Sequence, residues 1–67
     1  MIALRSTDGD RSFQVYDDEE LIGHIRMQIG LTGEKYLASF DKDGKEESAG
    51  KEFYSPYDAL KWIENQR

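Results

Sequence analysis

The chain has no cysteine, one proline, one histidine and one tryptophan in its 67 residues. Without Cys there is no disulfide to staple a small core and no thiolate to hold a metal or attack a carbonyl. A single imidazole, His24, cannot supply the usual zinc ligand set from one chain. Long apolar runs are missing as well: the longest is Met1 to Leu4, far below the roughly 20 residues of a membrane span. No basic-then-apolar leader is visible, so a soluble, cytoplasmic chain with no membrane partner is expected. The length suits one small domain and excludes two-domain enzymes and repeat arrays. No tract is of low complexity, and a disordered acidic chain fits poorly because the apolar residues are periodic.

Positive charge is also scarce. Nine Lys and Arg stand against fourteen Asp and Glu, a net charge of -5. Residues 12–40 hold five acids against two bases, and residues 41–52 five against three. Most of the excess is the run Asp17-Asp18-Glu19-Glu20, which reads as a solvated turn because four consecutive like charges repel and seek water. A net acidic domain meets phosphate against a repulsive field, so nucleic acid is a disfavoured partner.

Three Phe, four Tyr and one Trp supply the core, each able to bury on the order of 150–250 Å². Residues 1–11 open with a short apolar stretch and end in loop-forming Ser-Thr-Asp-Gly-Asp. They read as a weakly ordered arm, or as a short edge strand through Ile2 and Leu4. From Ser12 the pattern has period two: Phe13 and Val15 alternate with Ser12, Gln14 and Tyr16, a half-buried strand over 12–16. From Leu21 on, Leu21, Gly23, Ile25, Met27 and Ile29 fall on one side, with Ile22, His24, Arg26 and Gln28 on the other, a strand over 21–28. Gly30 and Gly33 bracket a reversal. A third strand over 35–40 puts Tyr36, Ala38 and Phe40 inward and Lys35, Leu37 and Ser39 outward. Asp43-Gly44 marks a hairpin. The returning strand, 45–54, has Gly50 as a bulge candidate.

Ser55-Pro56-Tyr57-Asp58 predicts a helix start. The hydroxyl of Ser55 caps a free N–H of the first turn, Pro56 loses nothing by lacking its own, and Asp58 favours the positive end of the helix dipole. Ala59, Leu60, Trp62 and Ile63 form the apolar stripe, and Arg67 falls near the negative end. A helix this short is unstable alone in water, so its stripe must lie on the sheet. Strands first and one helix last give the expected fold: α+β, an antiparallel three- to four-stranded β-meander with one C-terminal α-helix packed on one face, within a single domain over 12–67. The expected inward set is Phe13, Val15, Leu21, Ile25, Met27, Tyr36, Ala38, Phe40 and Phe53 beneath the helix stripe.

The residues with chemistry in them point away from catalysis. His24 is the one side chain that titrates near neutral pH unperturbed, and it reads as an exposed strand residue with no Ser or Cys nucleophile implied beside it. Asp41 to Glu52 has the length of a calcium loop, but its sixth position, which needs Gly, is Glu46, and its fifth, which needs a ligand, is Lys45. Gly30-x-x-Gly33 lacks the third glycine, the following helix and the Lys of a phosphate loop. No catalytic, cofactor or metal residues are assigned.

The segment Phe53-Tyr54-Ser55-Pro56-Tyr57-Asp58-Ala59-Leu60-Lys61-Trp62-Ile63, preceded by Phe40-Asp41-Lys42-Asp43-Gly44-Lys45, resembles the end of the AP2-like arm-type DNA-binding domains of phage integrases. The resemblance covers residues 21–65. It implies a three-stranded sheet lying in the DNA major groove, with His24, Arg26, Gln28 and Lys35 as the outward contacts and Ser39 beside them.

The expected function is a small non-enzymatic binding or regulatory accessory module of bacterial or prophage origin. It would engage another protein through the outward sheet face, with Ile22, His24, Arg26, Gln28, Lys35 and Leu37 as the candidate surface, or else the edge of the 12–16 or the 45–54 strand would pair with a partner strand or with a second copy of the chain. The alternative is DNA binding through that face.

Overall fold

The computed structural model describes residues 1–9 and 11–66. Five strands, β1 (Ile2–Ser6), β2 (Ser12–Asp17), β3 (Glu20–Gly30), β4 (Gly33–Lys42) and β5 (Lys45–Phe53), lie side by side in chain order in one antiparallel sheet, and α1 (Pro56–Glu64) follows. The α+β meander with its C-terminal helix is as expected, with five strands instead of three to four. The additional strand is β1, which pairs with β2 from Ile2↔Asp17 to Ser6↔Phe13 without a register break. Arg67, expected near the negative helix end, lies outside the described residues.

The hairpin turns follow their sequence signals. Asp43 and Gly44 both have positive φ, 53° and 79°, the backbone of a two-residue turn whose twist matches its flanking strands. At the acidic turn Asp18 also has positive φ, a conformation Asp tolerates better than most residues.

Helix α1 begins where its cap predicts. Ser55 is extended, and its Oγ accepts a hydrogen bond from the Asp58 N–H at 3.2 Å. The helix packs on β3, β4 and β5. Ala59 and Ile63 are its buried residues, whereas Trp62 is half-buried. The core is Val15, Ile22, Ile25, Ala38, Phe40, Phe53, Ala59 and Ile63, with Ile2, Leu4, Phe13, Tyr36, Ala49, Leu60 and Trp62 packed against it.

Two bulges shape the sheet. Val15 pairs with Gly23 but Tyr16 pairs with Leu21, so β3 carries one extra residue, Ile22. The extra residue reverses the alternation upstream of it. Ile22, expected outward, is 2% exposed in the core, and Leu21, expected inward, is 36% exposed. The second irregularity lies where Leu37 pairs with Glu52 and Ser39 with Ser48, leaving Ala49, Gly50 and Lys51 opposite Ala38 alone. Gly50 has a φ of 74° there. Such insertions increase local twist and bend a strand.

Gly23 makes the helix contact possible. A Cβ built on it would lie 3.2 Å and 3.3 Å from Cδ1 and Cγ2 of Ile63, and 2.5 Å from the backbone oxygen of Ser39. The missing side chain is therefore the notch into which Ile63 sits. The helix and the apolar stripe of the sheet lock together at this point.

Candidate functional site

With α1 on one side of β3, β4 and β5, the other side of the sheet has no covering layer among the described residues. Register fixes what it displays. Directly paired residues in neighbouring strands share a face, so Arg5, Gln14, His24, Ser39 and Ser48 form one row across all five strands, and Ser12, Arg26, Leu37 and Glu52 form the next across β2 to β5. Gln28 and Lys35 pair beyond them. The face is hollow: a concavity of about 430 Å³ is lined by residues that include Ser12, Gln14, His24, Arg26, Leu37 and Ser48.

Five of the six candidate surface residues, His24, Arg26, Gln28, Lys35 and Leu37, fall on this uncovered face. Ile22 does not, because the β3 bulge turns it into the core, and a buried Ile22 offers nothing to a partner. Its place as an accessible aliphatic is taken by Leu21, the partner of Tyr16.

Side chains on the face hold one another. The hydroxyl of Tyr16 donates to Oε1 of Gln14 at 2.9 Å, and the Arg5 guanidinium lies 5.2 Å from the centre of the Tyr16 ring. Nζ of Lys35 is 3.5 Å from Oε1 of Glu52. Nδ1 of His24 lies 3.8 Å from Oδ2 of Asp41, too far for a hydrogen bond, and this buried nitrogen has no hydrogen-bond partner. An exposed ion pair such as Lys35–Glu52 contributes about 0–1 kcal/mol, so it arranges the surface more than it stabilises the fold. Arg5, Arg26 and Lys35 are set against Asp41, Glu46 and Glu52, and the face is close to electrically balanced in a chain of net charge -5.

Ser39, expected outward beside His24, and Ser48 share the row of His24; Ser48 is 24 positions away in the chain, and the sequence pattern does not place it there. The three residue types of a hydrolytic triad are thus near one another. The imidazole turns Nδ1 toward Asp41, and no hydrogen bond joins it to either hydroxyl among the described residues. Among the described residues no group of three or more His, Cys, Asp or Glu is gathered to hold a metal ion. No helix among them is long and apolar enough to cross a membrane.

A second exposed feature lies outside the expected surface. The β3–β4 hairpin carries Ile29 and Leu31 bare at its tip. The signal is present in the sequence, since an apolar residue between two turn glycines has no neighbouring layer to enter.

No family model matches the chain, and no curated protein or solved structure shows significant similarity to it.

Proposed function

We propose that the chain is a small non-enzymatic binding module that engages another protein through the uncovered, hollow face of its sheet. The observation that carries this reading is the composition of that face. Leu37 and Leu21 are accessible there beside Arg26, Gln14, Gln28 and Tyr16, and the cations are matched by acids. Aliphatic and aromatic groups mixed with Arg and hydrogen-bonding side chains suit a protein interface, whereas one sign of charge would dominate a phosphate-binding one.

DNA binding after the manner of AP2-like arm-binding domains is the second reading. It is favoured by His24, Arg26, Gln28 and Lys35 sharing one open face. Against it, Lys35 is paired with Glu52, Asp41 and Glu46 lie on the same side, and β5 reads Lys45-Glu46-Glu47-Ser48-Ala49-Gly50-Lys51-Glu52 where a DNA-binding strand needs excess base. A phosphate approaching Lys35 or His24 would also meet a repulsive carboxylate beside it.

The two readings separate in one experiment. Capture from nuclease-treated bacterial lysate is compared for the wild-type chain and Leu37→Glu, alongside a duplex DNA mobility shift at low salt. A nuclease-resistant partner retained by wild type and lost with Leu37→Glu supports the protein reading. A salt-sensitive DNA shift abolished by Arg26→Ala replaces it with the second.

A further inference from the structure

The two edges of the sheet are not alike. Strand β5 is bulged, carries Gly50 at positive φ and is mostly charged or polar, all features that discourage pairing with another chain. Strand β1 has none of them: Ile2-Ala3-Leu4-Arg5-Ser6 runs in unbroken register with β2, and no described strand lies on its far side. The backbone directions can be read from its ends. The Met1 carbonyl accepts from the Asp18 N–H at 2.8 Å, and the Thr7 N–H donates to the Ser12 carbonyl at 3.0 Å. Odd residues therefore aim their backbone groups at β2, and Ile2, Leu4 and Ser6 aim theirs outward.

We infer that β1 pairs antiparallel with β1 of a second copy, centred on Leu4, to join two five-stranded sheets into one continuous sheet of ten. This reading concerns the edge and is independent of the proposed binding face. In that register Leu4 meets Leu4, and Ile2 meets Ser6 of the other copy at both ends. All three outward-aimed residues of each strand find outward-aimed partners, giving six backbone hydrogen bonds. Arg5 falls opposite the small Ala3. Sliding two residues one way opposes Arg5 to Arg5, and sliding two the other way opposes Ala3 to Ala3; both leave four bonds instead of six. Like charges directly opposed destabilise a strand pair.

The side chains agree with the register. Ile2 and Leu4 are half-buried and already pack against the core on the helix side, so Leu4 against Leu4 continues the apolar layer across the seam from Val15 of one copy to Val15 of the other. On the opposite face the row becomes Tyr16, Ala3, Arg5, Gln14 as it crosses between copies. The twofold sends the two acidic turns, Asp17 to Glu20, to opposite ends of the seam, so the net charge of -5 on each copy does not concentrate at the contact. A five-residue seam falls short of the roughly 800 Å² per partner of a standard interface, so the dimer is reversible and concentration-dependent.

Ala3 tests the register because it is exposed in the single chain, where its own Arg5 lies two residues along the same face, and it gains a directly opposed Arg5 of the other copy only in the pair. The dimer dissociation constant is measured by sedimentation equilibrium for wild type, Ala3→Glu and Ala3→Lys, with circular dichroism confirming that each is folded. Two new opposite-charge pairs per dimer in Ala3→Glu tighten association, and two like-charge pairs in Ala3→Lys weaken it, each by roughly two- to thirty-fold. A chain still monomeric at about 1 mM, two Ala3 variants that both weaken the dimer, or a dimer indifferent to either substitution would overturn the inference.

Discussion

Replacing Gly23 by Ala adds one methyl group at the tightest point of the fold. Its Cβ would lie 2.5 Å from the Ser39 carbonyl oxygen and 3.2 Å from Cδ1 of Ile63. Ile63 can turn aside, but the Ser39 oxygen belongs to the backbone of β4 and cannot move without opening the β3–β4 pairing. Overpacking of this kind costs about 1–3 kcal/mol, and the loss of unfolded-state freedom on replacing Gly gives back only about 0.4–1 kcal/mol. A net loss of about 1–1.5 kcal/mol is an appreciable share of the roughly 3–10 kcal/mol expected for a chain of this size. It lowers the melting temperature by about 4–12 °C. Gly30→Ala is the control, since Gly30 has no positive φ and its added methyl would find only the Gly33 oxygen, at 3.9 Å. Urea and thermal unfolding followed by circular dichroism measure both. Gly23→Ala as stable as Gly30→Ala would refute the notch.

The β3 bulge predicts that Ile22→Ala costs about 2–4 kcal/mol and Leu21→Ala under about 1 kcal/mol; equal costs in urea unfolding would mean that strict alternation holds through 21–28. Ser55→Ala removes the acceptor of the Asp58 N–H and should cost about 1 kcal/mol, seen as a lower urea midpoint with an unchanged slope. The Met1 amine is held by Asp17 and Asp18 at 3.2 Å and 3.1 Å, and hydrogen bonds to Asp18 first and Asp17 second raise its pKa above the ordinary value. Because the folded-state value is the higher one, the tether is complete below the unfolded pKa of about 8 and is lost as pH rises through the folded value. Titration of the amine by NMR should place its midpoint above that of a short peptide with the same first residues.

Much of the architecture is local and therefore legible in the chain itself. Alternation in Ser12–Tyr16 and 35–40, the Asp43-Gly44 turn and the Ser55-Pro56 cap each state their backbone conformation within a few residues. Parity is not local. The insertion at Ile22 shows only against the partner strand, where Val15 meets Gly23 and Tyr16 meets Leu21, and one strand read alone contains no trace of it. Strict alternation consequently puts Ile22 on the surface and Leu21 in the core, the reverse of what the fold does. Strand β1 is faint for a related reason, since five residues have little signal until Val15 and Tyr16 supply a partner. The Trp62 side chain is the largest in the helix stripe, and size alone makes it the expected centre of the contact. Gly23 instead admits Ile63, and Trp62, half-buried against the core, lines a surface hollow together with Lys51, Phe53 and Tyr54. The candidate face is mostly legible because His24, Arg26 and Gln28 lie downstream of the bulge, where alternation is intact. The extension of the His24 row to Ser48 depends on pairing with β5 and is not.

Helix α1 covers one side of the sheet through Ile63 and leaves the side bearing Leu37 bare. Carbon-edited NOE spectroscopy tests it directly. Cross-peaks are expected from the Ile63 methyls to the Gly23 α-protons, and none from the Leu37 methyls to any residue of α1. Leu37 contacts to the helix, or an Ile63 without contact to Gly23, would contradict it.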